Sequence, residues 1–164
     1  MSMTWGELSK NLFEQAKLKK VPLVGQFELT SRCNLKCKMC YVCNSANDRE
    51  VMPRECTAKE WISLIREARD SGMLYILLTG GEVFLRKDFK EIYEAVSMMG
   101  LNVMIYTNGT LITPEIAKWL GHIPPSKIEV TLYGASPETY EKVCGNSLGF
   151  SQALNGIDLL LSEG

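Results

Sequence analysis

The sequence predicts an α/β fold built on a parallel sheet. Short apolar runs alternate with stretches of helical periodicity, a helix-start signal precedes most of those stretches, and the distinctive motifs follow the apolar runs rather than the helices. At 164 residues and 46% hydrophobic, the chain suits one globular domain with a substantial core.

The elements follow in order. Thr4 with Glu7 forms a capping box, after which Trp5, Leu8, Leu12 and Ala16 share one helical face. LVGQFEL (23–29) has the length and flanks of a buried strand. Thr57 with Glu60 repeats the capping device before Trp61, Leu64, Ile65 and Ala68, and Gly72 ends that helix. LYILL (74–78) is the second strand. Asp88 with Glu91 opens a helix that turns Phe89, Ile92, Tyr93 and Val96 inward, with Gly100 as its stop. NVMIY (102–106) is the third strand, and Thr113-Pro114 is an N-cap with proline at the first helical position. KIEVTL (127–132) is the fourth strand, Ser136-Pro137 opens another helix, and a last helix carries Ala153, Leu154, Ile157 and Leu161. Such alternation implies right-handed crossovers between parallel strands.

Charge narrows the function classes. Eighteen Lys and Arg stand against 19 Asp and Glu, for a net charge of -1, and the two signs are well mixed. This argues against nucleic acid or a membrane surface as the main partner. The cluster Lys17, Lys19 and Lys20 reads as a solvated helix end. The start of the sequence lacks a basic stretch followed by an apolar run, and no segment approaches the roughly 18 apolar residues of a membrane span. The expectation is a cytoplasmic protein, where clustered cysteines point to metal or redox chemistry rather than disulfides.

The cysteines are concentrated in CNLKCKMCYVC (33–43). Cys33, Cys37 and Cys40 follow a C-x3-C-x2-C spacing, with Cys43 a further x2 on. Thiolates suit zinc and iron–sulfur clusters alike. Cys43 as a fourth ligand would close a zinc or cluster site, whereas three cysteines would leave one iron of a cubane open to a small molecule. Arg32, Lys36 and Lys38 flank the loop and can offset thiolate charge. This loop follows the first strand, TGGE (79–82) the second, TNGT (107–110) the third and YGAS (133–136) the fourth. All four fall at the carboxyl ends of strands, where parallel α/β folds gather ligands, which favours one composite site.

CNLKCKMC resembles the cluster loop of the radical S-adenosylmethionine (SAM) superfamily. Gly80-Gly81-Glu82, Thr107-Asn108-Gly109 and VTLYGASPETYEKVCG (130–145) resemble its later motifs in the same order, the last being similar to SPASM-type, often peptide-modifying, members. The resemblance implies a partial (β/α)6 TIM-like barrel of which about four βα units are present. Residues 1–20 are then a helix preceding the barrel, and 21–164 an incomplete core. It implies a [4Fe–4S] cluster on Cys33, Cys37 and Cys40, with SAM chelating the fourth iron. One electron cleaves SAM to a 5′-deoxyadenosyl radical, which takes hydrogen from a peptide or a cofactor precursor. A small acidic electron donor such as a flavodoxin or ferredoxin is implied as partner. A closed, non-catalytic metal module and a SAM-binding member without turnover are the alternatives.

The same resemblance nominates Met39, Gly80, Gly81, Glu82, Asn108 and Thr131 around SAM. Two glycines allow close backbone approach, and a carbonyl there can accept from the methionyl ammonium. Asn108-Gly109 also suits a bare turn, and Thr131 also suits a plain β-branched strand position. Val83 stands where the family usually has proline, and Tyr133 where many SPASM-type members have Asp. No catalytic acid, base or hydrogen-relaying residue is nominated. Tyr41 is expected to buttress the loop and Glu28 to hydrogen-bond beneath it. Cys56 and Cys144 read as small buried residues, His122 as a surface-loop residue, and the polar loop 42–56 as a lid or substrate contact. The fifth and sixth strands are absent, so the expectation is an N-terminal fragment with the fourth strand as an exposed edge.

Overall fold

The computed structural model describes residues 4–42 and 44–164. Helix α1 (Trp5–Lys19) begins at Thr4, whose side chain and backbone both exchange hydrogen bonds with Glu7. Of its expected inward face only Ala16 is buried, while Trp5 is 75% exposed. Phe13, one position off that face, stacks on Tyr75 and holds the helix to the sheet.

Four strands form one parallel sheet in the order β1 (Val24–Thr30), β4 (Tyr75–Gly80), β5 (Asn102–Thr107) and β6 (Lys127–Val130). Two short segments, β2 (Arg32–Cys33) and β3 (Asn44–Ser45), pair separately across the cysteine loop. Helices α2 (Ala58–Asp70), α3 (Phe89–Ser97) and α4 (Pro114–His122) supply the crossovers, and α5 (Pro137–Cys144) and α6 (Leu148–Ser162) follow β6. Among the described residues the sheet does not close on itself.

Strand alternation decides where the core lies. Phe27, Leu29, Ile76, Leu78, Val103, Ile105 and Ile128 face the helices and meet Ile65, Phe89, Ile92, Tyr93 and Leu120. Aromatic edges interlock there: Tyr93 and Trp119 lie 5.2 Å apart at 80°. Of the opposite parity, Val24, Gln26, Glu28 and Tyr106 are exposed, and Tyr75, Leu77 and Met104 are half-buried. The strands are therefore fully buried on one face only, which differs from the fully buried runs expected of a parallel sheet.

Three local readings need correction. Asp88 is the N-cap of α3 but makes no capping bond, because its carboxylate instead takes Arg86 at 2.8 and 3.0 Å. The fourth strand ends at Val130 rather than 132, although Thr131 N–H still donates to Thr107 O at 3.1 Å. His122 is the last residue of α4, not a loop residue.

Candidate functional site

The carboxyl ends of β1, β4 and β5 are joined by backbone and side-chain bonds rather than merely adjacent. Gly81 N–H donates to Thr30 O at 2.7 Å and Glu82 N–H to Arg32 O at 2.9 Å, so the GGE turn is hooked onto the entry of the cysteine loop. Only glycine permits this. A Cβ on Gly80, whose φ is +140°, would lie 2.2 Å from Thr30 O, and one on Gly81 would lie 2.2 Å from Arg32 O.

Glu82 makes the second join. It is 1% exposed, and its carboxylate accepts from Thr107 Oγ1 at 2.8 Å, Asn108 N–H at 2.8 Å and Phe84 N–H at 3.1 Å. Burial pushes its carboxyl above the ordinary range, against the downward pull of these three donors. Asn108 makes the third join. Its amide donates to Asn34 Oδ1 at 2.9 Å and lies 3.7 Å from Cys33 Sγ, while its own oxygen accepts from the hydroxyl of Thr110 at 2.7 Å. Asn34 in turn donates to Thr110 Oγ1 at 2.8 Å. Neither Asn34 nor Thr110 was signalled by motif logic, though both sit inside the quoted motifs.

The cysteine loop is shaped from three sides. Cys40 N–H donates to Cys37 O at 3.0 Å, closing a turn. Lys36 N–H donates to Cys144 O at 3.0 Å and Lys38 N–H to Val143 O at 2.9 Å, docking the loop on the end of α5. Leu35 is buried beneath it with Tyr140, Cys144 and Ala153, and Cys33, Cys37 and Tyr133 pack on that cluster. Tyr41 reaches Glu28 at 2.8 Å, a hydrogen bond between the loop and β1.

Of the two cysteines expected to be small buried residues, Cys144 is one and Cys56 is not. Cys144 is buried in the small cluster on which Cys37 packs. Burial first, and the Cys37 sulfur second, push it up to about 12. Cys56 is exposed, because it lies outside the core between the 3-10 turn Met52–Arg54 and the N-cap of α2. Burial also raises the Tyr133 hydroxyl, with the neighbouring Cys37 sulfur second. The alternatives for Cys43 lie outside the described residues.

Arg32 does not serve as counter-charge to the thiols. It is buried and forms a bidentate pair with Glu55 at 2.9 and 3.0 Å. Glu55 also accepts from Thr30 and lies 3.6 Å from Arg86. Burial raises the Glu55 carboxyl, but the Arg32 and Thr30 hydrogen bonds and the charges of Arg32 and Arg86 together bring it below the ordinary range. The loop 42–56 is thus anchored at its far end by a buried ion network, for which the sequence carried no signal. Lys36 and Lys38 remain exposed beside the cysteines. Met39 is 64% exposed at the loop tip, and Thr131 is exposed at the end of β6.

The donor set suits a thiolate-bound cluster in kind. Cys33 and Cys37 are neighbours within one small packed group. The Cys40 thiol donates to Val42 O at 2.9 Å. Among the described residues, no three of His, Cys, Asp and Glu converge as a ready-made metal set.

The profile of the radical SAM superfamily matches residues 27–164. The chain belongs to this superfamily. Its members use a [4Fe–4S] cluster and SAM. The Fe-coproporphyrin III synthase of Methanosarcina barkeri is 37% identical over 158 residues, covering 96% of this chain and 38% of that protein. The sporulation killing factor maturation protein SkfB of Bacillus subtilis is 30% identical over 140 residues, covering 85% of this chain and 33% of that one. The chain thus spans between a third and two-fifths of the length of these relatives. Among solved structures, Streptococcus suis SuiB bound to its precursor peptide SuiA superposes with a TM-score of 0.75 at 22% identity, over 100% of this chain and 37% of that one. At that identity the match shows the fold. It agrees with an α/β architecture whose four parallel strands form part of a TIM-like barrel.

Proposed function

We propose that the chain is the cluster- and SAM-binding part of a radical SAM enzyme acting on a peptide or a cofactor precursor. The observation that carries this is the single hydrogen-bonded network running from the cysteine loop through Gly81 and Glu82 to Asn108. In this reading Cys33, Cys37 and Cys40 hold three irons, and SAM occupies the fourth. Gly80 and Gly81 present backbone to SAM. Met39, Asn108 and Thr131 border it, and Glu82 acts from beneath by fixing Asn108. When bound, the cluster supplies the electron that splits SAM and starts hydrogen abstraction from substrate. The chain's own residues orient SAM and exclude water.

The substrate class rests on relatives whose names include a peptide maturase and a porphyrin synthase. Exposed Lys36 and Lys38 beside the loop suit a small acidic electron donor such as a flavodoxin or ferredoxin. A cytoplasmic setting fits air-sensitive thiolate chemistry, and no helix among the described residues is long and apolar enough to cross a membrane. In the same reading residues 1–20, which carry helix α1 (Trp5–Lys19), precede the barrel, and 21–164 are its incomplete core.

The test is the electron paramagnetic resonance (EPR) spectrum of the anaerobically reconstituted, reduced chain with and without SAM. A SAM-dependent change, lost in Cys33→Ser, Cys37→Ser and Cys40→Ser, together with 5′-deoxyadenosine formation, is expected. A cluster indifferent to SAM, or retention of zinc alone, would overturn the reading. A SAM-responsive cluster without 5′-deoxyadenosine marks a binding member without turnover.

A further inference from the structure

We propose that Asn34 and Thr110 are positioning residues that lock the Asn108 side-chain amide onto the sulfur of Cys33, and that this hydrogen bond raises the reduction potential of the cluster held there. The inference rests on Cys33 being a cluster ligand, as set out above. Its geometry is a closed ring of hydrogen bonds. Asn108 Nδ2 donates to Asn34 Oδ1 at 2.9 Å, Asn34 Nδ2 to Thr110 Oγ1 at 2.8 Å, and the Thr110 hydroxyl to Asn108 Oδ1 at 2.7 Å. Each member of the ring gives one bond and takes one. The second N–H of the Asn108 amide is left for Cys33 Sγ, which lies 3.7 Å from the same nitrogen.

A backbone group fixes the sense of the ring. Thr110 N–H, which can only donate, lies 3.0 Å from Asn108 Oδ1. A turned Asn108 would set its NH2 group against that donor, and its oxygen against Asn34 Oδ1 and the Cys33 sulfur. The amide therefore presents N–H, and not oxygen, to the sulfur. Asn108 is also held in place as a whole. It is buried with Thr110, and its own N–H is tied to Glu82 at 2.8 Å. Helix α6 backs the turn so closely that a Cβ on Gly156 would lie 2.2 Å from Gly109 O. Cys33 Sγ accepts a further bond from Leu35 N–H at 3.4 Å, within the cysteine loop itself.

Reduction adds an electron to a cluster whose charge is concentrated on sulfur. Donors aimed at a ligating sulfur stabilise the reduced form more than the oxidised form, so hydrogen bonds to the sulfurs are a principal control of potential. Asn34 and Thr110 act on that potential through Asn108.

The experiment is an EPR-monitored redox titration, without SAM, of the reconstituted chain and of Asn34→Ala, Thr110→Val and Thr110→Ser. Iron and sulfide contents are checked in each. Leaving SAM out separates this bond from any contact between Asn108 and SAM. Asn34→Ala and Thr110→Val are expected to lower the equilibrium constant for reduction about three- to tenfold, roughly 30–60 mV for one electron. Thr110→Ser keeps the hydroxyl and is expected to retain most of the parent potential. Equal shifts in the Val and Ser variants would assign the effect to packing and overturn the inference. So would an unmoved potential in Asn34→Ala or in Thr110→Val. If Asn34→Ala loses its iron, Thr110→Val decides, because it leaves the cysteine loop unaltered. Loss of the cluster in both would make the ring a folding element and overturn the inference. Failure of the unsubstituted chain to assemble any cluster would remove the ligand assignment and this inference with it. A SAM-responsive cluster whose potential is unmoved by these substitutions removes only the inference.

Discussion

Glu82→Gln tests whether the carboxylate is the tie between the GGE turn and the TNG turn. The substitution keeps shape but replaces one oxygen with an NH2 group. Both oxygens face fixed backbone donors, Phe84 N–H on one and Asn108 N–H on the other. Whichever way the amide is turned, one backbone N–H meets another donor. An orphaned buried donor costs about 1–3 kcal/mol. Burial of the carboxyl works in the opposite direction, because removing a group whose ionised form is disfavoured returns part of that cost. The net expectation is a loss of about 1–2 kcal/mol. With a urea m-value of about 2 kcal/mol/M, the unfolding midpoint falls by roughly 0.5–1 M. Equilibrium urea unfolding reads this directly. Asn108 also loses its anchor, so the SAM-induced change in the EPR signal is expected to weaken in the same variant. An unfolding free energy within about 0.5 kcal/mol of the parent, together with an unaltered SAM response, would refute the tie.

Two further perturbations follow from the same edge of the sheet. Glu55→Gln breaks the buried pair with Arg32 while leaving Arg86 its bonds to Asp88, so a loss of about 3 kcal/mol in denaturant unfolding is expected. The folded-state carboxyl of Glu55 is held low, so its contribution is complete above the unfolded value and is lost as pH falls through the folded value. The parent chain should therefore lose stability more steeply than Glu55→Gln on acidification below about pH 4.3, and parallel curves would sink this. Gly81→Ala places a methyl 2.2 Å from Arg32 O and must push the turn off the cysteine loop. The expected loss is about 1–3 kcal/mol, with fewer irons bound per chain on reconstitution, and unchanged iron content would contradict it.

The order of elements, the strand positions, four of the helix caps and the gathering of motifs at one edge were legible because each is written locally. The capping boxes at Thr4 and Thr57 and the caps at Thr113 and Ser136 depend on residues three positions apart. Asp88 has the sequence of a capping residue, yet Arg86, two positions away, takes its carboxylate from the helix. The rest of what escaped depends on partners distant in sequence. Arg32 reads as a counter-charge until Glu55 claims it. Cys144 reads as a small buried residue, which it is, but nothing local reveals that Cys37 packs on its cluster. Only one sheet face is fully buried because the crossover helices α2, α3 and α4 lie on the other side from Gln26, Glu28 and Tyr106, a matter of layering that period-two patterns in short strands do not disclose.

The docking of the cysteine loop on α5 also sets an order of events during synthesis. Chains emerge amino end first, so residues 33–40 leave the ribosome well before Val143 and Cys144. Until then the amides of Lys36 and Lys38 have no carbonyls to meet, and Leu35 has no Tyr140 or Ala153 to lie on. A nascent chain therefore exposes its thiols as an unshaped loop, open to adventitious metals and oxidants, until residues 143 and 144 have emerged. On the proposed ligand set, iron loading into the native geometry belongs to the period after α5 has formed, when the loop has its dock.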